Sequence, residues 1–149
     1  LMQLPVAEQL GAATFNGAKP AAVVMDCLPN MQQDSAGAVS NDTMAVLAVL
    51  EAKFPEVPIL IIEGHEYTNN WIKTEQQKNQ DSLAKAQAAA VAALRGRFSN
   101  LHYASSQGKL GDDADVVQDS TGGIGVHPTQ LAHLHMAEFV AQQLRDLGL

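Results

Sequence analysis

One cysteine, Cys27, stands among 149 residues, so no disulfide can form within the chain. Stability must then rest on a packed core. Basic residues are also few: nine Lys and Arg face sixteen Asp and Glu, for a net charge of −7. The nine are scattered. Phosphate backbones are held by clustered Lys and Arg, so this balance argues against nucleic acid as a partner. No apolar run approaches the ~20 residues that a helix needs to cross a bilayer. The longest, such as residues 57–62 (VPILII), have the length of a strand. Internal repeats and low-complexity linkers are absent too. What remains is 46% apolar and 17% charged, a globular composition. Its length suits a single domain, residues 1–149, with one core.

Three short apolar runs alternate with helical patterns. AAVVM (residues 21–25), PILII (58–62) and the weaker LHYA (101–104) are strand candidates. They are continuous rather than alternating, which suits strands covered on both faces. Met44, Leu47, Leu50 and Phe54 recur at helical spacing and predict a helix over 41–54, capped by Ser40 or Asn41 and stopped by Pro55. Residues 74–98 are rich in Ala, Gln and Lys and predict a second helix. A third is expected over 128–147, with Pro128 in its first turn and Gly148 beyond its end. A short helix over 5–10 precedes the first strand. Strands alternating with helices imply a parallel α/β sheet with helices on both faces.

Ligands of such sheets bind at the carboxyl ends of the strands. Polar residues gather there. Asp26, Cys27 and Asn30 follow the first strand; Glu63, His65 and Glu66 follow the second. The Asn30 amide is a candidate donor to a developing oxyanion, and otherwise a turn residue bonding its own backbone. His127 precedes Pro128 at a loop-to-helix junction, which makes it a candidate general base or a helix-start packing residue. Asp26, Glu63 and His65 are candidates for substrate binding. A metal held by Glu63, His65 and His127 is a weaker alternative, because no ligand spacing is diagnostic. His133 and His135 are two apart on a helix and face different ways. Asp112, Asp113 and Asp115 lack the spacing of a calcium loop and read as solvated. Tyr67 and Trp71 could cover a site mouth or pack. Cys27 reads as a small buried residue, with a Cys27–His127 pair as the less favoured alternative. Nothing in the pattern calls for a cofactor.

With these residues placed, the chain resembles the SGNH/GDSL hydrolase superfamily. The resemblance rests on VVMDCLPNM (residues 23–31), PILIIE (58–63) and GVHPTQL (125–131), in the family's order and at plausible spacing over most of the chain. It implies a three-layer α/β/α flavodoxin-like fold with a parallel sheet. It also implies hydrolysis of carboxylic esters, with Asn30 in the oxyanion hole and His127 as the base. Two departures accompany it. Nothing in residues 1–22 matches the family's Ser block or the Gly block that follows, so the chain reads as lacking the first βαβ portion. None of Ser35, Ser40, Ser82, Ser99, Ser105, Ser106 and Ser120 has a strand–turn–helix context. Ile124 stands three residues before His127, where the family has Asp. Asp119 on the same loop is the expected replacement, with Asp115 or Glu63 as substitutes.

These readings define the expected partners. Substrate is a small ester. Without the family's Ser strand, the strand at Val23 becomes an apolar edge, and such edges template pairing. A complementing N-terminal segment, a second copy, or residues 1–15 folded over the gap would cover it. The alternative function is a catalytically incomplete domain that serves as a binding or interaction module.

Overall fold

The computed structural model describes residues 3–10, 18–65, 74–107, 109, 116–117 and 127–149. Strand β2, Ile59–Ile62, forms the middle of its sheet and is buried at every residue. It pairs in parallel with β1, Val23–Asp26, on one side and with β3, Leu101–Ala104, on the other. The order is β1-β2-β3. Period-two alternation sends the side chains of β2 to two faces. Ile59 and Ile61 share a core with Val46, Leu47 and Leu50 of helix α2, Ala36–Lys53, and with Val91 of α3, Thr74–Arg95. This core also takes in Ala7 of the short helix α1, Gln3–Gln9. Leu60 and Ile62 turn the other way. They meet Phe139, Val140 and Leu144 of α4, Gln130–Asp146. The continuous apolar run of β2 is thus covered on both faces, and the layers are α/β/α.

Strand β1 departs from the fully buried strand that its apolar run suggests. Its residues alternate between half-buried and exposed, with Val24 41% exposed. The reason is position. β1 is the sheet's edge, and α4 packs over β2 and β3 rather than over Val24. The Val23 N–H donates to Pro58 O at 2.8 Å, so alternation directs the Val24 backbone groups away from β2. Among the described residues, no strand meets that side. A groove of about 310 Å³ runs along it, with Val6, Ala7 and Leu10 beside Val23, Val24 and Met25.

Two helix starts differ from expectation. Helix α2 begins at Ala36, not near Asn41, because Ser35 is its cap: the Ser35 hydroxyl accepts from Ala38 N–H at 3.2 Å. The buried stripe is Val39, Thr43, Val46, Leu47 and Leu50, a turn earlier than Met44 suggests. Helix α4 begins at Gln130. Thr129, not Pro128, precedes it, and its hydroxyl accepts from Ala132 N–H at 3.0 Å. His127 and Pro128 instead form a short strand, β5, antiparallel to β4, Val116–Val117.

Candidate functional site

All three strands of the main sheet run the same way, so their carboxyl ends bring three segments to one edge: residues 26–30, 63–65 and 105–107. The first is a turn of 3₁₀ helix, Leu28–Met31, with Pro29 in its opening positions. Leu28 and Met31 are buried against Val39 of α2 and Leu83 and Ala84 of α3. These two anchors hold the turn, while Asn30 between them is exposed. The Asn30 N–H donates to Cys27 O at 3.1 Å and closes the turn.

Gly64 lets the second segment lie against this turn. Its φ is +94°, and a Cβ there would stand 3.1 Å from Pro29 Cδ and 3.5 Å from Asp26 Oδ1. Both the backbone conformation and the close approach require glycine. Gly64→Ala is expected to cost about 1–3 kcal/mol of stability, a strained backbone's usual penalty. Gly96→Ala is the control, since nothing lies within 4 Å of the added Cβ. Equal denaturation midpoints for the two variants would contradict this packing.

Glu63 joins the second segment to the third. Its carboxylate accepts from the Ser105 hydroxyl and from Ser106 N–H, the latter at 3.0 Å. Ser106 is 1% exposed. The sequence gives these serines no strand–turn–helix context for a nucleophile, and no motif announces their structural role. Nearby, burial pushes the Tyr103 hydroxyl well above its ordinary range, and Glu63 adds to the push. Tyr103 therefore stays protonated and donates to Ala84 O at 3.4 Å. Helix α3 clamps the other loops: Gln80 donates to His65 O at 2.8 Å, and Asn79 to Gln32 O at 3.2 Å. His65 itself is 5% exposed.

Asp26 ends β1 beside these groups. Loss of hydration raises its carboxyl above the ordinary value, and the nearby His65 pulls it partly back. Asp26 is nevertheless exposed at the open edge, and solvent there limits the effect. The sign follows from linkage. A carboxyl with a raised folded-state value binds protons more readily when folded, so it weakens the fold as pH rises through that window. Asp26→Asn is expected to raise the midpoint of thermal unfolding slightly at pH 7. The gain should vanish once the pH falls below the ordinary value of 3.8. A gain that persists or grows in acid would contradict the assignment.

The structure thus brings Asp26, Asn30, Glu63 and His65 to one end of the sheet. The His127 backbone pairs with Val117 directly before α4. Asp119, its expected carboxylate partner, lies outside the described residues, as do Ile124, Asp112, Asp113, Asp115, Glu66, Tyr67 and Trp71. Among the described residues, no group of three or more His, Cys, Asp or Glu is placed to hold a metal ion. Nor is any helix among them long and apolar enough to cross a membrane.

Comparison with known proteins adds to this geometry. The sequence profile of the GDSL-like lipase/acylhydrolase family matches residues 9–145. A GDSL-like lipase candidate from Bacteroides ovatus superimposes with a TM-score of 0.67 at 24% identity. That match takes in 92% of this chain and 37% of the other. The salicylyl-acyltransferase SsfX3 from a tetracycline biosynthetic pathway superimposes with a TM-score of 0.71 at 14% identity, over 99% of this chain and 42% of that one. At these identities the likeness is one of fold. The chain spans about two fifths of the length of both structures. A search of curated proteins found no match.

Proposed function

Since the chain belongs to the GDSL-like lipase/acylhydrolase family, we propose that it carries the oxyanion and base half of a carboxylic ester hydrolase. The observation that supports this most is the placement of Asn30. It is exposed on a turn whose two neighbours in the core hold it still, at the strand ends where such sheets bind ligands.

The chemistry is acyl transfer through a serine. A serine hydroxyl attacks the ester carbonyl while His127 takes its proton. The carbonyl oxygen becomes an oxyanion, and the Asn30 amide donates to it. The intermediate collapses, the acyl–oxygen bond to the alcohol breaks, and His127 returns the proton to the departing alkoxide. Water then repeats the sequence on the acyl-serine and releases the acid. Asp119 is the residue assigned to orient His127 and stabilise its charged form. Asp26, Glu63 and His65 shape the substrate side, Glu63 by fixing the ends of β2 and β3 to each other.

The second reading, a domain that binds without turnover, is favoured by one feature: Ile124 cannot do the work of a carboxylate beside His127. Hydrolysis of p-nitrophenyl acetate by the full-length protein decides between the two. Turnover above the rate of buffer and of heat-denatured protein supports the hydrolase. Its absence supports the binding module.

A further inference from the structure

A polar cleft opens beside the strand ends. Asp81, Ala84 and Lys85 share one face of α3, at the spacings that place helix residues side by side. Together with Glu63 and Gln107 they enclose about 290 Å³. That is the lower end of the range for small-molecule sites. A narrower recess shares Glu63, Asp81, Ala84 and Gln107 and continues past Ser106 to Gly64 and Leu28. Gly64 lies against Pro29, which precedes Asn30 in the 3₁₀ turn.

The lining selects the ligand. Asp81 and Glu63 offer acceptors, Lys85 offers an ammonium donor, and the Gln107 amide offers both. Among the described residues, Ala84 is the only apolar side chain around the larger space. An acyl chain there would strip water from these groups and give nothing back. An anion would face two carboxylates against one ammonium. A neutral molecule with many hydroxyls replaces the lost water bond for bond.

We propose that this cleft binds the alcohol part of the substrate, and that this part is a neutral polyol of about hexose size. The assignment to the substrate's alcohol rests on the ester-hydrolase reading above. It makes the preferred ester a polyol ester rather than a lipid.

The test uses the full-length protein and methyl glucoside, with cyclohexanol as the apolar control of similar ring size. Saturation-transfer NMR should show contact with methyl glucoside and little with cyclohexanol. The double variant Asp81→Ala/Gln107→Ala, checked for native circular dichroism, should bind methyl glucoside about tenfold more weakly, the loss of one to two net hydrogen bonds. Equal signals for the two probes, or undiminished binding by the variant, would overturn the inference. Hydrolysis of p-nitrophenyl acetate separates the two claims. Turnover without methyl glucoside binding removes the polyol site and leaves the hydrolase. Binding without turnover leaves a polyol site and removes its assignment to an ester.

Discussion

His127→Ala is expected to lower kcat for p-nitrophenyl acetate about 10²–10⁴-fold, the usual contribution of a positioned general base. The Michaelis constant should change little, because His127 acts on the proton in flight and not on the bound ester. The fold should survive. Helix α4 takes its cap from Thr129 and its anchorage from Phe139, Val140 and Leu144, and none of these depends on the imidazole. Steady-state kinetics alongside thermal unfolding checks both parts. Equal rates for the wild type and the variant would mean that no His-dependent site exists, and the binding-module reading would gain.

Asn30→Ala should cost about 10²–10³-fold in kcat, as loss of one oxyanion donor does elsewhere. Here the structural risk is low. Asn30 is exposed, while Leu28 and Met31 carry the packing of its turn. Asn30→Asp is a useful companion. It keeps the size and replaces a donor by a negative charge facing the developing oxyanion, so it should be at least as damaging as alanine. If Asn30→Asp retained most of the activity, the side chain would not face the reacting carbonyl. Unchanged unfolding midpoints in both variants would place the loss in catalysis.

Much of this was legible from sequence, and the reasons differ by element. The run PILII predicts a strand buried on both faces, and Ile59–Ile62 is one. The run AAVVM carries a similar signal, yet Val24 is exposed. An apolar run reports what a strand can bury, and neighbours decide what covers it. Helix starts were harder. Ala36 and Gly37 give no apolar period, so the cap at Ser35 was hidden behind Ser40 and Asn41. Pro128 resembled a first-turn proline, but the side-chain acceptor that a cap needs belongs to Thr129.

The site shows the same division. Glu63 stands directly after a strand and Asn30 in the turn that follows one, which places both at the carboxyl ends without any structure. Gly64 carries no such signal. Its necessity follows from the approach of Pro29, a contact across 35 residues that no local pattern contains. The bond from Ser105 and Ser106 to Glu63 is likewise a product of the parallel pairing of β2 and β3.

The open side of β1 bears on solution behaviour. A strand edge with outward-facing backbone groups and an exposed Val24 is a template for pairing. The groove along this edge also takes in Asp26, at the carboxyl end of the strand.

The central claim is that His127 activates a serine. A fluorophosphonate probe, which reacts only with an activated hydroxyl, tests it most directly when labelling is mapped by mass spectrometry of the full-length protein. The expected result is one labelled serine, loss of ester turnover in step with labelling, and labelling slowed at least ~100-fold by His127→Ala. Ester turnover that persists with no serine labelled, or labelling that proceeds equally in His127→Ala, would contradict it.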